Sequence, residues 1–307
     1  MSFRTAPRWL AIPVLCLGAA GVFAQQPGSL IQVLPPPAGA AQESAALGMS
    51  VAMNATYTVA GAPFDDLGGQ DSGVVKVFDT ATGDLLHVLV NPSPNTGDQF
   101  GHAVAISGSR VVVGACQGDS SGSSAGRAYV YDLGGSNPTV PVLELSQPAP
   151  VAADQFGYSV AISGNRVAVS ANLDDTGATN TGRVFIYNLA GANPQTPSLI
   201  IPNPTPVSSD LFGQSISLDG GWLVVGVPQK DLGGTSNVGS VELFNLDSAT
   251  PATPVASLLN PHPAANDTFG NAVSVSGTRF VAGTSLDDAT GVNSGRAYDY
   301  DGVEGWA

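Results

Sequence analysis

Cysteine is almost absent from this chain. Its 307 residues include two cysteines, Cys16 and Cys116, and Cys16 lies in an N-terminal segment with the character of a leader. A single remaining thiol cannot form an intramolecular disulfide, so packing must stabilise the fold. Two interpretations of Cys116 stay open, a small buried apolar side chain or a bridge to a second molecule.

Positive charge is equally scarce. The sequence has 10 Lys and Arg against 24 Asp and Glu, which gives a formal net charge of −14. A field of this sign repels nucleic acid and anionic membrane surfaces. We therefore expect no nucleic-acid partner.

Long apolar runs are absent except at the N-terminus. Arg4 and Arg8 precede an apolar run over residues 9–23, which closes on Val-Phe-Ala before Gln25. This layout predicts a secretory signal over residues 1–24, followed by a single domain over residues 25–307. The run is too short and too often interrupted to span a membrane. We expect a secreted protein, extracellular or at the cell surface, with the periplasm as the open alternative and no membrane insertion.

Glycine and proline are abundant, at 38 and 23 residues, and they separate short β-branched runs. The dipeptide Phe-Gly, or Leu-Gly in the first copy, recurs at intervals of 53 to 57 residues. The glycines of this motif are Gly48, Gly101, Gly157, Gly213 and Gly270. A repeat of about 50 residues is typical of β-propellers, in which each repeat forms one blade.

Each repeat predicts four short strands, which we call strands a to d. Strand a follows the motif glycine, and a two-residue turn such as Gly108-Ser109 leads to strand b. A loop rich in Gly and Asp precedes strand c, and a proline-rich passage follows strand d. Strand c is apolar on both faces, as in residues 128–131, so other sheets must cover both sides. We predict an all-β fold, a β-propeller of five four-stranded blades.

A second glycine follows the motif glycine by 13 residues in four repeats, as in Gly101 and Gly114, whereas the third repeat has Ser170 there. With these two motifs, residues 30–302 resemble the FG-GAP repeat family of integrin α-subunits and bacterial surface proteins. The resemblance implies a β-propeller used for adhesion or protein binding. Integrin-type blades often hold calcium in a loop between strands a and b, where this chain has only a two-residue turn. We therefore expect no metal site and no cofactor.

Acidic residues recur in register with the repeat. One set, the loop acids, follows strand b: Asp66, Asp119, Asp175, Asp231 and Asp288. A second set lies three residues before the motif glycine: Asp98, Asp154, Asp210 and Asp267. Aspartate in a Gly-rich loop commonly accepts hydrogen bonds from backbone amides, so we interpret both sets as structural, with a weak cation site as the alternative. Arginines that open strand c, Arg127, Arg183 and Arg296, are interpreted as solvated neighbours of these acids.

One position varies in chemistry while its neighbours stay nearly constant. It directly follows the motif glycine and holds Met49, His102, Tyr158, Gln214 and Asn271. If strand a lines the central channel, these five side chains form a ring at its rim, the concave place where a ligand would bind. The alternative is that they face solvent and are therefore unconstrained.

Catalytic patterns are missing from the sequence. His87, His102 and His262 occupy three different places in the repeat, and no nucleophile or metalloprotease motif is present. We therefore expect a secreted, monomeric, non-catalytic binding or adhesion module that recognises a protein or a glycan. Two alternatives stay open: a glycan-active hydrolase or lyase that uses propeller-face carboxylates, and a structural protein of the cell envelope.

The ends of the chain predict how the ring closes. Residues 30–34 have the pattern of strand d and precede a run of three prolines, whereas the fifth repeat stops after strand c. The first strand would therefore complete the fifth blade and remove its open edge.

Deleting residues 29–37 should abolish cooperative thermal unfolding. An unchanged melting curve, followed by circular dichroism, would show that this closure is wrong.

Overall fold

The computed structural model describes residues 33–34, 44–119, 123–288 and 291–301. The chain divides into a segment of residues 1–33 and a compact unit of residues 34–307. Only Val33 is described in the first segment, and it is exposed. The architecture that follows belongs to the second unit.

Nineteen strands form five antiparallel sheets in the described part of this unit, and each sheet is built from consecutive strands. The first sheet contains β1 (Ser50–Met53), β2 (Tyr57–Ala62), β3 (Val74–Asp79) and β4 (Leu85–Val90). The second contains β5 (Phe100–Ser107), β6 (Arg110–Ala115), β7 (Arg127–Asp132) and β8 (Leu143–Leu145). The third contains β9 (Phe156–Ser163), β10 (Arg166–Ala171), β11 (Arg183–Asn188) and β12 (Leu199–Pro202).

The fourth sheet contains β13 (Ile216–Asp219), β14 (Trp222–Val227), β15 (Ser240–Asn245) and β16 (Ala256–Leu259). The fifth contains three strands within the described residues: β17 (Ala272–Ser276), β18 (Arg279–Thr284) and β19 (Arg296–Asp301). No helix occurs in the described ranges. The sheets are the blades of a five-bladed β-propeller, which confirms the predicted fold class.

Within the described residues, the fifth blade contains three strands. Most of the segment predicted to complete it, residues 30–34, lies outside the described residues. Val33 and Leu34 are described, and neither belongs to a strand. In β19, residues alternate between half-buried and exposed, and Asp299 stands on the exposed face.

The core consists of four apolar layers, each between two consecutive blades. Third strands in the middle of the fold contribute to two layers at once. In β7, Tyr129 and Tyr131 pack toward the first blade, whereas Ala128 and Val130 pack toward the third. This two-sided burial is the reason that the third strands are apolar on both faces.

Phenylalanines of the Phe-Gly motif anchor each of these layers. Phe100, Phe156, Phe212 and Phe269 are all fully buried. Each ring lies edge-on or tilted against aromatic residues of its own third strand, for example 5.5 Å from the ring of Phe185 in the case of Phe156. Such aromatic pairs add about 0.5–1.5 kcal/mol beyond the apolar area that they bury.

The motif glycines share a backbone conformation that disfavours a side chain. All five motif glycines have φ between 88° and 92°, a left-handed conformation that L-residues rarely adopt. Neighbouring blades also touch here through their backbones. A Cβ on Gly114 would lie 2.0 Å from the carbonyl oxygen of Gly157, and one on Gly226 would lie 1.9 Å from that of Gly270. The second glycine of the repeat is therefore required wherever the next blade approaches this closely.

Replacing Gly114 with alanine tests this contact. The new methyl group would push the second and third blades apart, and overpacking of this kind costs about 3 kcal/mol. We expect Gly114→Ala to lose at least that much free energy of unfolding in urea, or to yield no folded protein. Gly283 is the matched control, because it holds the same repeat position and its Cβ would be 3.7 Å from the nearest atom. A change within about 1 kcal/mol is expected for Gly283→Ala, and equal losses in the two variants would contradict the close contact at Gly114.

Candidate functional site

The residues that follow the motif glycines come together in the structure. Met49, His102, Tyr158, Gln214 and Asn271 all line one cavity of about 590 Å³, together with the two residues that follow each of them. Every blade therefore contributes the start of its first strand to the same wall. The cavity is the mouth of the central channel, and its volume lies within the roughly 300–1,000 Å³ of ligand pockets.

Part of this mouth is a connected network of polar and aromatic side chains. His102 and Tyr158 have ring centroids 4.8 Å apart at an angle of 47°. The hydroxyl of Tyr158 accepts a hydrogen bond of 2.7 Å from Nε2 of Gln214. Oε1 of the same Gln214 side chain accepts a hydrogen bond of 2.9 Å from Nδ2 of Asn172. Three blades thus contribute to one network.

The hydrogen bonds determine which atoms of this network remain as donors or acceptors. Nδ1 of His102 lies 3.1 Å from the carbonyl oxygen of Tyr158, which can only accept, so Nδ1 carries the proton. Burial lowers the pKa of His102, more than the bond to the Tyr158 carbonyl raises it. The ring is therefore neutral at pH 7, and its Nε2 is an acceptor. Burial also raises the pKa of Tyr158, whose hydroxyl keeps its proton as a donor.

The remaining members of the ring differ from this network. Met49 is 51% exposed, and Val51, two residues further along β1, is 68% exposed. Asn271 is also exposed. None of the described residues that line the cavity is Asp, Glu, Lys or Arg. The mouth is thus uncharged in a strongly acidic chain.

The five loop acids share one structural role. Each accepts a hydrogen bond at Oδ1 from a backbone amide five or six residues later, in its own loop. The amide donors belong to Asp71, Ser124, Asn180, Asn237 and Asn293, and all five have φ between 52° and 58°. The acids thus hold a left-handed turn before each third strand.

The second acidic set also supports the backbone. Oδ2 of Asp98, which is buried, accepts bonds from Nδ2 of Asn91 at 2.7 Å and from the amide of Asn95 at 2.8 Å. Asp154, Asp210 and Asp267 make the corresponding contacts in the next three connections. Burial raises the pKa of Asp98 and of Asp154, and the hydrogen bonds only partly offset this effect. These carboxylates fasten the proline-rich passages between blades.

The interpretation of the arginines as solvated is wrong for Arg183 and Arg296. Their side chains are 20% and 27% exposed, and each pairs with a carboxylate that is almost fully buried. Arg296 lies 3.3 Å from Asp287, and Arg183 pairs with Asp174 in the same way. In the first blade a buried lysine, Lys76, lies 3.7 Å from Asp65. In the sequence, each of these pairs is marked by two consecutive aspartates, and the first of the two lies against the third strand of its blade.

Other candidate chemistry is dispersed. Among the described residues, no group of three or more His, Cys, Asp or Glu side chains is placed to hold a metal ion. His102 lies at the channel mouth, whereas His262 stacks on Tyr298 in the fifth blade with centroids 6.4 Å apart. The described part of the chain contains no helix that is both long and apolar enough to cross a membrane.

Cys116 is buried at 1% exposure and forms no disulfide. Burial raises the pKa of its thiol to about 12. Of the two interpretations, the structure favours the small buried side chain, because the thiol is not accessible to a second molecule.

The comparison with known families agrees with the blade geometry. A family model described as FG-GAP repeat matches residues 88–131, 148–187, 206–244 and 253–300. The chain belongs to the FG-GAP repeat family. Each matched segment ends in the third strand of a blade, so the FG-GAP repeats correspond to blades two to five. A search of curated proteins gave no match.

The buried acids of the FG-GAP repeats should matter more for stability than the loop acids. Asp98→Ala removes the acceptor of two donors and leaves the buried amide of Asn91 without its bond, so we expect a loss of about 1–3 kcal/mol. Asp119→Ala removes one bond to an exposed amide, and a loss of about 0.5–1.5 kcal/mol is expected. Urea unfolding at pH 7 measures both. Asp98→Asn keeps an acceptor, so its loss of unfolding free energy should fall between those of the two alanine variants. Equal losses in the two alanine variants would refute this ranking.

Proposed function

We propose that this chain is a non-catalytic binding module whose ligand site is the mouth of the central channel. The observation that carries the proposal is that five residues of differing chemistry, 53 to 57 residues apart in the sequence, line one cavity. Side chains that only pack are alike from blade to blade, as Phe78, Tyr131, Tyr187, Phe244 and Tyr300 are. A position that varies within a constant framework, at a concave surface, has the character of a recognition site.

The carboxylates give no support for the alternative of a glycan-active hydrolase or lyase. Both acidic sets accept hydrogen bonds from their own loops and connections. A retaining or inverting hydrolase needs two carboxyl groups that face a common substrate. The channel mouth contains no carboxylate among its described lining residues.

Export of the chain is part of this proposal. Its support is the sequence of residues 1–24, in which two arginines precede an apolar run and a small-residue cleavage site. A single buried cysteine also suits an exported protein that does not depend on disulfides. We propose that the propeller acts outside the cytoplasm, where it binds a partner in a monomeric form.

The proposal is tested with two double variants of the purified chain. Both are immobilised beside the wild type and screened against polysaccharides and extracellular proteins. His102→Ala/Tyr158→Ala should lose at least tenfold in affinity for any ligand that the wild type binds, because it removes both aromatic faces of the mouth. Asp66→Asn/Asp119→Asn, which changes only loop acids, should bind as the wild type does. Circular dichroism establishes that each variant is folded. If the first variant keeps full affinity and the second loses it, the ligand site lies at the loops and not at the channel mouth.

A further inference from the structure

We infer that the channel mouth binds an uncharged carbohydrate, with Tyr158 and His102 contacting one sugar residue. This inference rests on the proposed function, because it names the ligand class of the same site. Three features carry it: the absence of charge in the mouth, a fixed donor beside a fixed acceptor, and the shape of the recess.

The charge of the mouth selects against ionic ligands. The chain as a whole has a net charge of −14, which disfavours the approach of an anion. A cation would be favoured by carboxylates, but none lines the described mouth, and the loop acids bond to their own backbone amides. His102 is neutral at pH 7, so it supplies no positive charge. These observations together favour a ligand that is polar but uncharged.

The hydrogen bonds leave one donor beside one acceptor. The Tyr158 hydroxyl already accepts from Gln214, and its own proton is therefore directed to a further acceptor. His102 uses Nδ1 toward the Tyr158 carbonyl, and no described residue makes a hydrogen bond to its Nε2. Because the ring centroids are 4.8 Å apart, the donor and the acceptor are carried by two rings in contact. Neighbouring hydroxyls of a sugar ring match this pair, since a hydroxyl both donates and accepts.

The network is held before any ligand arrives. Asn172, which is 2% exposed, donates to Gln214, and this bond holds the Gln214 amide against Tyr158. The hydroxyl orientation of Tyr158 follows from this arrangement. A preorganised site loses less conformational entropy on binding.

The shape of the mouth favours a saccharide over a protein surface. A stable protein interface buries about 800 Å² on each partner, usually around large apolar anchors. Within the described residues, the large apolar side chains that are exposed at the mouth are Met49 and Val51. The recess as a whole has a volume of about 590 Å³ and is lined by polar side chains from every blade as well as by smaller apolar ones, with aromatic faces on one side. Aromatic rings with polar edges suit a ligand that has both apolar and hydroxyl-bearing faces.

A glycan panel tests this inference with the purified chain. It contains unsubstituted glucan, mannan and galactan oligosaccharides, sulfated and uronic acid oligosaccharides, and a deacetylated amino-sugar oligosaccharide. We expect binding to one of the neutral oligosaccharides, measured by calorimetry and by saturation-transfer NMR. Tyr158→Phe should weaken this binding about tenfold, which equals about 1.4 kcal/mol, because it removes only the donor. His102→Ala provides a second variant if the first one fails to fold.

Tyr57→Phe is the matched control. Tyr57 is a half-buried tyrosine of β2 that does not line the described mouth, so the same loss of a hydroxyl should leave affinity unchanged. Preference for a charged oligosaccharide, or equal weakening in the two variants, would overturn the inference. If no glycan binds but a protein ligand is lost in His102→Ala/Tyr158→Ala, the carbohydrate inference fails and the proposed function stands. If a neutral glycan binds with full affinity to that double variant, both fail.

Discussion

The contact on which the propeller depends is the approach of two glycine backbones between neighbouring blades. The second glycine of one repeat lies against the carbonyl of the motif glycine of the next, so closely that a methyl group would overlap it. This approach brings first strands near enough to enclose a narrow channel. It also lets the buried phenylalanine beside each motif glycine fill the layer between blades. The third repeat departs from this rule, because it has Ser170 in place of the second glycine, and a Cβ on Gly213 would lie 2.8 Å from the Cβ of Ser170.

Around this contact, the repeated polar residues serve the scaffold. The loop acids hold left-handed turns, and the buried acids fasten the proline-rich passages. Buried lysine and arginine pairs join the loops to the third strands of the first, third and fifth blades. Because the loop acids recur in all five repeats and the buried acids in four, these acids could not vary without local loss of structure. The residue type therefore differs most between repeats at the position after each motif glycine, where contacts of the glycine hold the backbone.

That arrangement separates stability from recognition. Tyr158 and His102 stand directly after glycines whose conformation is set by neighbouring blades, so their backbones are rigid while their side chains face the cavity. Changes in these side chains leave the glycine contact intact. A repeat fold of this kind can present a different ring of side chains without changing its architecture.

The sequence by itself determined the number of repeats and the order of strands within a blade, because periodicity and turn chemistry are local properties. It also indicated the ring of variable residues, since each of them directly follows the glycine of a nearly constant dipeptide. Only the tertiary structure decided that Asn172 supports Gln214 and that Gln214 supports Tyr158, because these residues are 42 and 56 positions apart. The burial of Asp174 and Asp287 against arginines was likewise decided by the tertiary structure. Contacts between blades depend on how far each sheet is rotated about the channel, and no pattern within one repeat encodes that rotation.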